Sequence, residues 1–297
     1  MNKYLIFRTD KIGDFLLSAI LIKSIKRNDP NSLIYIVASE KNFNYIKSFS
    51  FIDKVFLLKK GLINKFKLII SLNKEKFNTI IVHDSKKRSN LISLFLNKNL
   101  KISLNSNNNI SYFAEIKNIL NHLNFDFENT DLDTLNNRLY NKFNNLHDEN
   151  VIFHFDEKWI YNEYIQNYTN IQPSENELKF FLNSLVKKTN KKLIITTGVN
   201  SPKILDKIFS NQFNNQILYF KNLDFFEIEN LLDKSNLLIS CHGAISHLAT
   251  AKNIEQIDII EQSKSTFYNK WTDHFRNYKV VNRKKFTDLS KEILSLL

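Results

Sequence analysis

Cysteine is nearly absent from this chain: Cys241 stands alone among 297 residues. One thiol excludes a disulfide framework and a cysteine-rich metal cluster, and it suits a reducing compartment. Glycine (4) and proline (3) are scarce while Asn, Lys and Ile abound, a bias that fits an AT-rich genome better than a physical demand. Neither a P-loop nor a G-x-G-x-x-G occurs, which removes two common nucleotide signatures. No apolar run approaches the ~20 residues that span a bilayer. The first seven residues run straight into a strand-like segment, without the charged, apolar and small-residue zones of a signal peptide. The expectation is a soluble, cytoplasmic protein.

Length favours two domains of roughly 150 residues, each able to bury a core. The formal net charge is +12, and its placement says more than its size. Residues 1–100 carry 19 Lys and Arg against 7 Asp and Glu, whereas residues 151–297 carry 19 against 16. A basic first third suits an anionic partner, either a phosphorylated or carboxylated acceptor or an anionic membrane surface. Lysine drift on a solvated face is the alternative. Nucleic acid is not expected as a partner.

Short β-branched runs alternate with amphipathic stretches. Strands are expected at residues 4–8, 33–38, 54–58 and 79–83, and helices at 14–27, 41–48, 63–73 and 89–96. This is the spacing of βαβ units around a parallel sheet. Asn-rich runs at 105–109 and 136–145 flank a helical pattern at 110–123, with a linker near 146–150. Strands then recur at 151–154, 192–196, 217–220, 237–240 and 257–260. Helices are expected at 159–168, 175–187, 225–233, from about 246, and at 288–297. The expected fold is α/β, two doubly wound domains facing across a cleft. They comprise residues 1–148 and 149–297, with the terminal helix free to pack back on the first domain.

Ligands of such sheets bind beyond the carboxyl ends of strands, which selects a few segments. Arg8-Thr9-Asp10-Lys11-Ile12-Gly13-Asp14 runs from a strand through a polar loop into a helix. Asp14 in a helix's first turn suits a general base if a hydroxyl comes within reach, and it equally suits, with Asp10, a simple helix cap. Ser240-Cys241-His242-Gly243-Ala244-Ile245-Ser246-His247 feeds a strand through a small-residue turn into a helix. Its free amides would take a diphosphate, with His242 and His247 as further donors. Two histidines five apart make a poor zinc pair. Cys241 fits a small buried residue better than a nucleophile. In His154-Phe155-Asp156-Glu157-Lys158-Trp159, Lys158 either neutralises phosphate or snorkels beside a core tryptophan that anchors the next helix. Asp131-Leu132-Asp133 is a D-x-D, a cation pattern that ordinary polar loops also contain. His83-Asp84 either lines an acceptor pocket or is a solvated loop.

Together these segments resemble glycosyltransferase family 9, the ADP-heptose:lipopolysaccharide heptosyltransferase family. The resemblance rests on Tyr4–Ser18 with its Arg-loop-Ile-Gly-Asp, on Phe77–Asp84 followed by Arg88-Ser89, on Lys158-Trp159, and on Leu237–Ala249. It implies a GT-B fold of two Rossmann-like domains and an inverting, metal-independent transfer from a nucleotide-diphosphate sugar, heptose first, to lipopolysaccharide core or another envelope glycan. No cofactor is implied. Asp14 falls on the family's catalytic base. Arg8, Asp10, Lys11, Gly13, His83 and Arg88 fall on the acceptor side. Lys158, Thr197, Asn200, His242, Gly243, Ala244, Ser246 and His247 fall on the donor side. The partners implied are a nucleotide sugar and an anionic, lipid-linked saccharide at the inner membrane face.

The chain departs from the family's pattern on the donor side. His242-Gly243-Ala244 stands where the family has Asp-Thr-Gly, the segment before Lys158 is short, and Asn200 replaces an acidic ribose contact. A same-fold transferase using another nucleotide sugar for an exopolysaccharide or glycolipid, and a non-catalytic saccharide-binding descendant, are the alternatives.

Overall fold

The computed structural model describes residues 1–103, 110–135, 142–143, 145–146, 148–162, 166–210 and 213–297. The chain divides into two compact units, Met1–Thr134 and Leu135–Leu297. The division thus falls before the linker expected near residues 146–150. The Asn-rich run at 105–109 and most of that at 136–145 lie outside the described residues.

The first unit contains β1 (Lys3–Arg8), α1 (Ile12–Asn28), β2 (Leu33–Ala38), α2 (Phe43–Lys47), β3 (Lys54–Leu57), α3 (Leu62–Asn73), β4 (Phe77–Val82), α4 (Lys87–Leu94), β5 (Lys98–Ser103) and α5 (Tyr112–His122). Its five strands form one parallel sheet in the order β3-β2-β1-β4-β5. Leu5, Ile6 and Phe7 of β1 are all fully buried, as are Ile80, Ile81 and Val82 of β4. Continuous apolar runs of this kind are what a sheet covered on both faces requires. α1 begins two residues earlier than expected, so Gly13 is inside the first turn and Asp14 is the third helical residue.

The second unit contains β6 (Asn150–His154), α6 (Glu175–Thr189), β7 (Leu193–Thr196), α7 (Lys203–Phe209), β8 (Ile217–Phe220), α8 (Phe225–Leu232), β9 (Ser235–Cys241), α9 (Ala244–Ala251), β10 (Glu255–Ile260), α10 (Ser265–Thr272), β11 (Tyr278–Asn282) and α11 (Phe286–Ser295). The six strands are parallel in the order β11-β10-β9-β6-β7-β8. Reciprocal capping boxes start α6 (Ser174 with Glu177) and α8 (Asp224 with Glu227), and Asn190 closes α6 in the left-handed region. α11 packs on α6 and β11 within its own unit.

The helix expected over 159–168 is corrected. Glu157–Trp159 is a single 3-10 turn and Ile160 is extended. The fully buried Trp159 stacks on Phe155 with centroids 5.1 Å apart and donates its indole N–H to the His154 carbonyl at 3.0 Å. This clamp folds the indole back on its own strand, and Asn162 follows at φ 66°, a left-handed conformation that ends helical propagation.

Candidate functional site

In each sheet the order of strand addition reverses once, between β1 and β4 in the first and between β6 and β9 in the second. Loops part at such a point, and the crevice between them is where α/β sheets take ligands. Apart from Asp131-Leu132-Asp133, which comes after α5, the residues singled out from sequence lie at or beyond the carboxyl end of one of these four strands, except Thr197 and Asn200, which follow β7.

In the first unit the loops after β1 and β4 are locked together. Asp84 Oδ2 accepts from the Thr9 amide (3.2 Å), the Thr9 hydroxyl (2.5 Å) and the Ser89 hydroxyl (2.7 Å), while Oδ1 accepts from the Lys86 amide at 3.2 Å. Arg88 Nη2 donates back to the Thr9 carbonyl (2.8 Å) and hydroxyl (2.9 Å). Beside this, the buried Arg8 donates through Nε to Ser18 Oγ at 2.6 Å and pairs through Nη1 with Asp10 Oδ2 at 3.0 Å. Ser18 Oγ lies 2.8 Å from His83 Nδ1. Burial, reinforced by the Arg8 charge, holds the His83 pKa well below its ordinary value, so its ring is neutral at pH 7. Its Nε2 is buried without a hydrogen-bond partner among the described residues. Burial also raises the Asp10 pKa against the opposing pull of Arg8, and Asp10 Oδ1 is likewise buried and unpartnered among the described residues.

Asp14 is half-buried at the start of α1, where its Oδ2 accepts from the Lys11 amide at 2.9 Å. This carboxylate caps the helix and still reaches solvent. Lys11 is exposed and Gly13 is buried.

In the second unit, Lys158 is the hub. Its ammonium lies 2.9 Å from Asp156 Oδ2, 3.1 Å from the His242 carbonyl and 3.3 Å from the Cys241 carbonyl. Those three acceptors match its three donors. Burial works against both charges. Even so, Asp156 holds the Lys158 pKa above its ordinary value, and Lys158, then His154, hold the Asp156 carboxyl well below the usual carboxylate range. The ammonium reaches the turn after β9 because Gly243 has no side chain: a Cβ there would lie 2.5 Å from Lys158 Nζ.

That turn is tied from behind by Asp258 on β10. Its Oδ2 lies 2.6 Å from His242 Nδ1 and accepts from the Tyr278 hydroxyl at 3.1 Å, while Oδ1 accepts from Ser246 Oγ at 2.9 Å. Ser246 Oγ also accepts the Gly243 amide at 3.2 Å. The amides of Ala244 and Ile245 in the first turn of α9 have no acceptor within the helix. His247 is buried among His242, Trp271, His274 and Phe275. Burial, then the two neighbouring histidines, depress its pKa strongly, so its ring is neutral at pH 7. Cys241 is buried and its thiol is pushed up to about 12, chiefly by that burial, which removes it as a nucleophile. Thr197 is buried with its hydroxyl unpartnered among the described residues, and Asn200 is exposed.

No family model and no curated protein matches the chain by sequence. Solved structures do match by shape. The structure described as E. coli heptosyltransferase WaaC with ADP is similar at TM-score 0.74 and 10% identity, over 99% of this chain and 98% of that one. A family 9 glycosyltransferase from Veillonella parvula gives 0.69 and 13%, over 99% and 88%. A putative UDP-N-acetylglucosamine 2-epimerase from Listeria monocytogenes gives 0.60 and 14%, over 99% and 87%.

The fold is GT-B.

Within that fold, the partners of the site residues are what sequence reasoning missed. Asp156 and Asp258 each organise one loop, Arg283 braces the Lys158 turn by donating to the Lys158 carbonyl at 3.0 Å, and Asp84, expected only as pocket lining or solvated loop, joins the loops after β1 and β4. Glu157 was also missed. Its Oε2 is buried against Gly198, without a hydrogen-bond partner among the described residues. The D-x-D resolves structurally: Asp131 is buried and accepts from Ser24 (2.8 Å), from Arg27 Nε and Nη2 (both 3.1 Å) and from the Glu128 amide (3.0 Å). Among the described residues no group of three or more His, Cys, Asp or Glu is arranged to hold a metal.

Proposed function

We propose that the protein is an inverting glycosyltransferase that moves a sugar, heptose first, from a nucleotide-diphosphate donor to lipopolysaccharide core or another envelope glycan. The observation that carries this reading is Asp14. It is a half-exposed carboxylate at the strand-order reversal of the first sheet, in a chain that matches a heptosyltransferase end to end. Asp14 accepts the proton of the acceptor hydroxyl as that oxygen attacks the anomeric carbon. The bond to the diphosphate oxygen breaks, and its electron pair leaves with the nucleotide. The transition state is oxocarbenium-like, as in glycoside hydrolysis. The first-turn amides of α9 and Lys158 stabilise the charge on the leaving diphosphate without a metal. His247 adds a neutral donor. Glu157 Oε2 and Thr197 Oγ1 are buried acceptors suited to sugar or ribose hydroxyls, the role that the exposed Asn200 would otherwise fill. On this reading Arg8, Asp10, Lys11, Gly13, His83 and Arg88 form the side that takes an anionic, lipid-linked acceptor, and the protein works peripherally at the inner membrane face.

One observation favours a second reading, a saccharide-binding protein without turnover: the Lys158 ammonium is already saturated by Asp156 and two carbonyls. Two measurements separate the readings. A thermal-shift screen against ADP, UDP, GDP and CMP and their sugar conjugates, with and without EDTA, should give a selective and EDTA-insensitive rise. At 100 times the dissociation constant the gain is roughly 2.7 kcal/mol. Asp14→Asn should then lose roughly 10²–10⁴-fold in turnover, the range of general-base catalysis, with nucleotide-induced stabilisation unchanged. A flat screen favours the second reading, and near-normal turnover in Asp14→Asn removes the assigned base.

A further inference from the structure

Half of the exposed large hydrophobic residues of the described chain fall between Leu62 and Phe95. Leu62, Ile63, Phe66 and Ile70 on α3, and Leu91, Leu94 and Phe95 on and just after α4, are each more than half exposed. The two helices are neighbours on one face of the first sheet. Leu68 and Leu72 of α3 and Ile92 and Leu96 at α4 share a single buried cluster with Leu5, Val37 and Val82. Asn73 ties their carboxyl ends, donating to the Phe95 carbonyl at 3.0 Å and accepting from the Asn97 amide at 2.9 Å. α3 therefore has two apolar faces. One packs on the sheet, and the other, spaced at 62/63, 66 and 70, points to solvent, where a patch of this composition marks an interaction surface.

The charge around this patch is of one sign. Residues 59–88 contain nine Lys and Arg and only two acids, Glu75 and Asp84. Both acids are engaged elsewhere: Glu75 by Lys3 and Lys54, and Asp84 by Thr9 and Ser89. Lys59, Lys60, Lys67 and Lys74 beside α3, and Lys86 and Lys87 at the start of α4, are exposed and make no ion pair among the described residues. No described helix is long and apolar enough to cross a membrane.

We propose that the outer faces of α3 and α4 form one docking surface for an anionic lipid bilayer, with α3 lying in the interfacial plane. Bulky apolar side chains ringed by unpaired lysines are the composition of a helix that sits at the headgroup boundary. The chemistry also selects among occupants. Two copies of this face would bring like charges together around their apolar centres, whereas an anionic leaflet satisfies both the lysines and the apolar stripe. The inference deepens the proposed function and rests on it for its purpose, since a lipid-linked acceptor lies at that leaflet. The binding itself is measured without any sugar.

The test is co-sedimentation of the full chain with vesicles of phosphatidylcholine alone and with 30% phosphatidylglycerol. Binding should require the anionic lipid and weaken with salt. Phe66→Ser/Ile70→Ser should cut partitioning at least tenfold. Lys60→Ala/Lys67→Ala/Lys86→Ala should cut it by about a hundredfold, roughly fivefold per lysine. Phe180→Ser, an equally exposed site on α6, should change nothing. All these positions are exposed, so the variants should fold, and their melting points check it. Absence of vesicle binding overturns the inference, as does equal binding to neutral vesicles. Concentration-dependent self-association abolished by Phe66→Ser/Ile70→Ser, without vesicle binding, overturns it in favour of a second copy. A selective nucleotide shift with no vesicle binding would refute this surface alone. Vesicle binding with a flat nucleotide screen would refute the transferase reading alone.

Discussion

Lys158→Met tests whether the ammonium is built into the second unit as much as into donor chemistry. The change keeps the aliphatic stem and removes the charge. Asp156, buried at 3% exposure, then keeps the Lys158 amide on Oδ1 at 3.1 Å and a distant His154 Nε2 at 3.6 Å, but loses its partner at 2.9 Å. Removing one member of a buried pair costs roughly 3–5 kcal/mol, because the other charge stays buried and uncompensated. At roughly 2–4 °C per kcal/mol for a unit of this size, the melting point should fall by about 6–20 °C. Asp156→Asn/Lys158→Met removes both charges and keeps the acceptor on Oδ1, so most of that loss should return. The pH dependence carries the sign. The folded Asp156 pKa lies below its unfolded value of about 3.9, so its contribution is complete above that value and is lost as pH falls through the folded one. The wild type should therefore lose stability more steeply than Lys158→Met between about pH 5 and 2, and the gap between them should narrow. The assay is urea unfolding of both variants and the wild type across that range. A single-variant loss below about 1 kcal/mol, or a double variant as unstable as the single, would refute the argument.

Two further changes probe the loops behind the site. Gly243 has φ −178°, extended backbone open to any residue, so the effect of Gly243→Ala is steric alone. Its Cβ would displace an ammonium held by three acceptors, at a cost of roughly 1–3 kcal/mol. In the Lys158→Met background the same change should cost less, and strict additivity in unfolding experiments would show that the Gly243–Lys158 approach is not the reason. Asp131→Ala strips Ser24, Arg27 and the Glu128 amide of a buried acceptor, and denaturation should record a loss of about 3 kcal/mol. If the nucleotide-induced thermal shift falls with it, Asp131 has a binding role that its contacts do not predict.

The sequence reading succeeded where burial leaves a continuous apolar run and failed where it does not. β1, β4, β6 and β9 are covered on both faces, and their ends place the loops after them correctly. β5 (Lys98–Ser103) and β11 (Tyr278–Asn282) close the two sheets at an edge. They carry lysines and exposed positions instead of an apolar run, so neither was expected as a strand. The candidate site divides in the same way. Residues named for following a strand, such as Asp14, His83, Lys158 and Gly243, lie at the two reversals of strand order. The groups that hold them come from elsewhere: Asp84 lies 75 residues from Thr9, and Arg283 lies 125 from Lys158. Pairings so distant leave no local pattern. One signal was present and unused. Asp258 sits within Glu255–Ile260, a strand otherwise apolar at its buried end, and it is fully buried. A carboxylate cannot be placed inside such a strand without partners. Its presence between Ile257 and Ile259 implies polar groups arriving from neighbouring elements, here His242, Ser246 and Tyr278. A lone acid inside a buried strand thus locates the turn it must brace, and that turn is the one proposed above to hold a diphosphate.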